Sequence, residues 1–374
     1  MAGIYLHIPF CKQACYYCDF HFSTQVDYKE KMVAAIIDEI RLRTEYLQLQ
    51  KIESIYFGGG TPSLLTVQEL ELILNSIHKN FTISENPEIT LEANPDDLSL
   101  SYLKLIRQVG INRLSIGIQT FDDSYLEKLN RAHNRASALQ VLPDARKAGF
   151  ENISIDLMYA LPNQSQAQWL TDLKQAIQLK PEHISAYTLT IESKTVFGVQ
   201  KEKGKLSVPD EDTAATFFET LQEELKKNGY IQYEVSNFCL PHFYSKHNSS
   251  YWLQKHYLGV GPSAHSYNGV SRQFNIANNH LYLKSIGEGK IPATIEWLSR
   301  EEKINDFLLT GLRTMWGIFL PFLSKELNYN LLTIKEQKIN YLIDNQLAII
   351  EDNHLILTKS GLLIADKIAS DLFV

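Results

Sequence analysis

The chain of 374 residues has only four cysteines, a scarcity that excludes a secreted disulfide scaffold, which spreads an even number of thiols through a shorter sequence. It has no apolar run near the roughly 20 residues needed to cross a bilayer. Its opening, Met-Ala-Gly-Ile-Tyr-Leu-His-Ile-Pro-Phe, carries neither a basic stretch nor a small-residue cleavage site, so it reads as a first strand and not as a signal peptide. Positive charge is not in excess. The net charge of −7 leaves no electrostatic footprint for nucleic acid and argues against an anionic membrane surface. Low-complexity segments and exact repeats are also missing. The expectation is a cytoplasmic protein with no nucleic-acid partner and no membrane insertion, for which only peripheral contact with membrane proteins stays open.

What is present is an α/β pattern. Short β-branched runs at Gly3–Pro9, Ser54–Gly58, Glu88–Asn94, Arg113–Gln119, Asn152–Tyr159 and His183–Leu189 alternate with helical segments such as Val26–Leu49, Val67–Ile77 and Ala214–Lys227. Several strands are apolar on both faces, as buried parallel strands are. Right-handed crossovers would curl six such units into a barrel or a doubly wound layer. From Tyr230 to Gly289 the periodicity fades into Tyr, His, Asn and Gly, which predicts irregular, functional chain. After Ser299 the pattern predicts helices at Ile304–Met315, Pro321–Leu327 and Thr333–Asn345. A hairpin of Leu347–Ile350 and His354–Leu357 follows, giving a small winged-helix-like α+β unit without a basic recognition helix. The expected division is 1–229, 230–298 and 299–374.

Cys11, Cys15 and Cys18 stand in C-x3-C-x2-C spacing directly after the first strand. Three thiolates can hold three irons of a [4Fe–4S] cube and leave the fourth iron open to an exchangeable ligand. With His21 the same residues could instead form a tetrahedral Cys3His zinc site. Cys239 is remote and reads as a small buried hydrophobe. Gly58-Gly59-Gly60-Thr61-Pro62 follows the second strand. It fails the G-x-G-x-x-G fingerprint, but a glycine-rich loop lets backbone approach a ligand closely. Glu92, Gln119 and Asp156 fall late in strands three to five, where α/β barrels carry their sites. Arg131 is either a surface charge or a guanidinium able to grip a carboxylate.

These motifs closely resemble the oxygen-independent coproporphyrinogen III oxidase family of radical-SAM proteins. The shared pieces are Tyr5-Leu-His7-Ile-Pro-Phe-Cys11, Tyr56-Phe-Gly-Gly-Gly-Thr-Pro62, Glu92-Ala-Asn-Pro, Ser115-Ile-Gly-Ile-Gln119-Thr-Phe, Asp156-Leu-Met and Leu258-Gly-Val-Gly-Pro-Ser-Ala-His-Ser. The resemblance implies a partial (β/α)6 barrel with a separate C-terminal domain. It also implies a [4Fe–4S] cluster with S-adenosylmethionine on its open iron. By position, Tyr5, Tyr17, Gly59, Gly60, Thr61, Glu92, Gln119, Arg131 and Asp156 are the implied S-adenosylmethionine contacts.

Two departures qualify it. The oxidases carry a fourth cysteine two residues after the third, where this chain has Phe20, and a longer N-terminal extension, where only ten residues precede Cys11 here. Both features match the HemW-type branch, which is similar to heme chaperones. That branch has a His-Asn-x-x-Tyr-Trp motif, here His247-Asn-Ser-Ser-Tyr251-Trp252. His247 is the expected ligand of heme iron, with Tyr251 and Trp252 packing on the porphyrin; His242, His256 and His265 are the alternatives. The implied partners are heme, a heme-acceptor protein and an electron donor. Propionate decarboxylation of coproporphyrinogen III is the second reading, and a cluster that senses redox state or gates dimerisation is the third.

Overall fold

The computed structural model describes residues 1–374. Six parallel strands lie side by side in chain order: β1 (Ala2–Ile8), β2 (Ile52–Gly59), β3 (Ile83–Ala93), β4 (Arg113–Gln119), β5 (Ile153–Tyr159) and β6 (His183–Thr188). β1 and β6 do not pair with each other, so the barrel is partial and open. Helices Lys29–Leu42, Val67–Asn80, Leu100–Gln108, Arg135–Lys147, Gln166–Leu179 and Glu211–Lys227 return the chain between strands. The second starts where expected because Thr66 and Glu69 form a reciprocal capping box. The first stops well short of Leu49: Arg43 leaves helical geometry at φ −113°, and Gln48 and Leu49 have positive φ.

The stretch from Tyr230 to Gly289 is not irregular. β7 (Ile231–Glu234) and β8 (Asn237–Cys239) add antiparallel strands beside β6. β9 (Tyr257–Val260) pairs in parallel with β1, and β10 (His265–Tyr267), β11 (Ser271–Asn275) and β12 (Ala293–Trp297) continue outward from it. The result is one 12-stranded sheet. Strands of three to five residues are too short to show a period of two above the noise of their polar side chains.

One core of 55 buried residues runs from Ala2 to Ile286, so residues 230–298 share the barrel's interior and have no separate one. A second core of 16 residues, Ile304 to Leu372, belongs to the C-terminal unit. There β13 (Ile318–Phe319), β14 (Ala348–Glu351) and β15 (His354–Leu357) form a small antiparallel sheet against helices Arg300–Leu312, Glu336–Asp344 and Ala365–Leu372. Helices plus a hairpin are the winged-helix-like arrangement expected. This unit docks on the barrel through main chain, Val235 N–H to Arg313 C=O and Met315 N–H to Tyr233 C=O, both at 3.0 Å. No helix is long and apolar enough to cross a membrane.

Candidate cluster and cofactor site

The loop after β1 carries the three thiols and is pinned from both sides. Cys11 N–H donates to Ser23 C=O at 3.0 Å, and Ser23 N–H to Pro9 C=O at 2.9 Å. Further along, Tyr16 N–H reaches Leu129 C=O, and Asn130 Nδ2 donates to Ala14 C=O at 2.7 Å. The glycine loop after β2 locks against this segment. Gly60 N–H donates to Ile8 C=O and Thr61 N–H to Phe10 C=O. A Cβ on Gly60 would stand 2.6 Å from Phe10 O, and one on Gly59 would stand 2.7 Å from the His7 ring. The glycines are therefore demanded first by the close approach of β1, and only then by whatever fills the space in front.

That space is a cavity of about 390 Å³. It brings together Cys11, Cys15 and Cys18 with Tyr17, Gly59, Gly60, Thr61, Glu92, Gln119, Arg131 and Asp156. The thiols are neither sealed nor free, and each is partly exposed. Thr61 Oγ1 donates to Cys11 Sγ at 3.4 Å, and Arg131 Nη1 to Cys15 Sγ at 3.5 Å. No three His, Cys, Asp or Glu side chains converge on one ion position. His21, the fourth member of the zinc alternative, is engaged by Asn279 Oδ1 at 2.7 Å. A cube places each thiolate on a different iron, so three separated thiols around one open cavity fit a cluster better than a single tetrahedral ion.

Burial shapes the charges. It pushes the Cys11 thiol up to about 11 and also raises Cys18, so a cluster's iron charge is what would hold them as thiolates. Glu92 is raised to about 7 and Asp156 to about 6, burial being the main cause for both. The Glu92 carboxylate accepts from Tyr56 OH at 2.7 Å and Gly59 N–H at 3.2 Å. Gln119 ends β4 at a register break with φ of +66°, strain of a kind that clusters at functional sites. Asp156 is the fourth of the seven residues of β5, so it lies mid-strand and not late.

Two expected contacts sit differently from the reading of the sequence. Arg131 is not a surface charge, yet its fork is already used. Nη2 donates to Asn94 Oδ1 at 2.5 Å and to Gly117 C=O at 2.8 Å, and Nη1 reaches Tyr17 OH as well as Cys15. In this geometry it ties the cysteine loop to β3 and β4. Tyr5 lines a second, adjoining cavity instead of the cluster cavity. Its ring stacks with those of Tyr56 and His247 at 6.1 and 6.3 Å.

His247 lines that second cavity too. Glu88 caps the helix Lys246–Trp252, accepting from Lys246 N–H and His247 N–H at 3.0 Å each, and this turns His247 into the barrel. The ring is 2% exposed, and both nitrogens are occupied, Nδ1 by Ser54 Oγ and Nε2 by Tyr251 OH, at 2.8 Å each. Burial, then the Arg113 charge, lowers it to about 3, so it is neutral. A surface loop offering His247 to heme iron is thus not what the structure shows, and ligation there requires Nε2 to leave Tyr251. Trp252 packs under the Arg313 guanidinium of the C-terminal unit. Of the alternatives, His242 and His265 are exposed.

Three cavity residues escaped the sequence reading. Asn94 stands two positions after Glu92 and orients Arg131. A Cβ on Gly117 would come within 3.2 Å of Arg131 Nη2, so that glycine makes room for the guanidinium. Arg113 opens β4 and is 2% exposed. Asn94 and Gly117 lie inside motifs already singled out and could have been found there; nothing local marks Arg113.

Comparison with known proteins gives the family. Residues 5–176 match the Radical SAM superfamily, and residues 298–364 match the HemN C-terminal domain. The chain is similar to a "Heme chaperone HemW" of Lactococcus lactis, 36% identical over 96% of this chain and 93% of that one. It is 33% identical to a "Heme chaperone HemW" of Bacillus subtilis, over 98% of both. In fold it is similar to coproporphyrinogen III oxidase (HemN) from Escherichia coli, with a TM-score of 0.86 and 21% identity over 100% of this chain and 90% of that one. The chain belongs to the HemW family of radical-SAM proteins.

Proposed function

We propose that this chain is a cytoplasmic heme-trafficking protein that binds heme and passes it to an acceptor protein. It carries a [4Fe–4S] cluster on Cys11, Cys15 and Cys18, with S-adenosylmethionine at the open iron. The likeness to relatives named heme chaperones, spanning 96% of the chain, carries the reading. Phe20 adds to it: at the cavity rim, two residues after Cys18 and 71% exposed, it supplies an apolar ring where the oxidases have a thiol.

When bound, the cluster supplies one electron and one open coordination position. The chain's own part is positional. Thr61 and Arg131 direct donors at two of the sulfurs. Tyr17, Gly59, Gly60, Gln119 and Asp156 form the wall that faces a cofactor, and Glu92 offers a carboxyl near neutral pKa to a hydroxyl or ammonium. The three regions 1–229, 230–298 and 299–374 serve as cluster barrel, heme region and C-terminal unit. Anaerobic incubation with coproporphyrinogen III, reductant and S-adenosylmethionine should yield no protoporphyrinogen; robust turnover would overturn the chaperone reading. In heme titrations of His242→Ala, His247→Ala, His256→Ala and His265→Ala, the variant with the weakened Soret band identifies the iron ligand.

A further inference from the structure

Adjoining the cluster cavity, with shared walls, lies a second space of about 200 Å³. Its polar walls are paired among themselves. Ser185 Oγ donates to Asn237 Oδ1 at 2.7 Å, and Asn248 Nδ2 to Tyr233 OH at 3.2 Å. His183 shares its nitrogens with Ser154 Oγ and Tyr233 OH, and His247 with Ser54 Oγ and Tyr251 OH.

Arg113 is the exception. Its side chain is buried, its Nε has no hydrogen-bond partner, and it joins none of the ion pairs of the structure. Its cross-strand neighbour Thr90 is fully buried with an unpaired Oγ1. Thr90 shares a strand face with Glu92, and Arg113 with Ser115, so both project into the barrel. Glu92 and Asp156 are the nearest opposite charges, but their carboxylates are held by Tyr56, Gly59 and Ser115 and lie beyond ion-pair distance of the guanidinium. A buried charge left in this state is costly, and an anion from outside removes the cost.

We propose that the second cavity is a carboxylate subsite with Arg113 as its anchor. A guanidinium fork matches the two oxygens of a carboxylate. The rings of Tyr5, Tyr56 and Tyr251 around it suit a short aliphatic chain behind the carboxylate better than a fully hydrated phosphate. Glu92, Ser115, Asp156 and Tyr187 line both cavities, so a longer ligand can enter from the cluster side. The occupant is a free short-chain carboxylate or the carboxylate arm of a tetrapyrrole; the second source rests on the heme reading above.

The test is the thermal midpoint of the anaerobically reconstituted full chain with propionate, with the neutral isostere propionamide, and with sodium chloride at matched ionic strength. Propionate should raise the midpoint saturably, and the other two should not. Arg113→Gln should remove the shift, and Arg113→Lys should weaken propionate binding about ten-fold through loss of the fork. If neither variant folds, the propionate–propionamide difference in the wild type decides alone. Equal responses to the two compounds, or an unchanged propionate shift in a folded Arg113→Gln, would overturn the subsite and leave the heme reading standing. Heme and its dimethyl ester separate the sources. Tighter binding of the diacid, competed by propionate, assigns the tetrapyrrole arm, and equal binding assigns a free carboxylate. A propionate shift without any heme binding would sink the heme reading and keep the subsite.

Discussion

Glu39, on the helix after β1, and the cysteine loop at the end of β1 both place ionisable groups against the barrel, yet they are built in opposite ways. Glu39 is fully buried, and its two oxygens accept four hydrogen bonds. Arg43 Nη1 at 3.3 Å and Asn275 Nδ2 at 2.7 Å serve Oε1, and Gly261 N–H at 2.8 Å and Tyr282 OH at 2.6 Å serve Oε2. Nothing is left over for a ligand. That set fastens the added strands β9 to β11 to the barrel. The thiols of the cysteine loop receive long contacts from Thr61 and Arg131 and face open space. A closed set of partners holds a fold together, and an open set on a rigid frame holds something else.

The largest expected effect separates the two most sharply. Replacing Cys11, Cys15 and Cys18 together with Ala should reduce reconstituted iron and sulfide to background while far-ultraviolet circular dichroism stays native. Glu39→Ala should do the reverse. It strands a buried Arg43 and costs roughly 3–5 kcal/mol in denaturant unfolding, with iron per folded chain unchanged. Loss of iron from Glu39→Ala at unchanged stability would erase the distinction.

Arg131→Ala lies between them, because it frees Asn94 and the Cys15 side of the loop at once. A drop in S-adenosylmethionine affinity of about ten-fold or more is expected by anaerobic calorimetry. A pH effect follows from Glu92. Its folded pKa of about 7 stands above the ordinary 4.5, so the folded state holds the proton more tightly. Its contribution is present in full below the ordinary value and is lost as pH rises through about 7. The melting temperature of cluster-free protein should fall across that window, and Glu92→Gln should flatten the fall. The smallest effect is expected from Thr61→Val. Losing the donor to Cys11 Sγ should lower the cluster potential slightly in an anaerobic redox titration without changing iron content.

The six parallel strands were legible because both of their faces are buried, which writes them as continuous apolar runs. The cysteine spacing was legible because three thiols within one loop have few structural uses. Strand β9 was not, since it is held by a neighbour distant in sequence, as Gly3 is by Tyr257 across β1 and β9, and β10 to β12 are too short to show a period. The roles of Arg131 and His247 were half legible. Their importance showed in the motifs, but which of their nitrogens remain free depends on Asn94, Gly117, Ser54 and Tyr251, which come together only in three dimensions. Arg113 was silent for the same reason: as the first residue of a strand it looks like a surface charge until the register with Thr90 turns it inward.

Anaerobic titration of the chain with heme, with and without reconstituted cluster and in the presence of S-adenosylmethionine, tests the central claim most directly. A saturable Soret band from stoichiometric heme is expected, followed by its transfer to an acceptor protein without chemical change to the porphyrin. No Soret band in either form of the protein would contradict it.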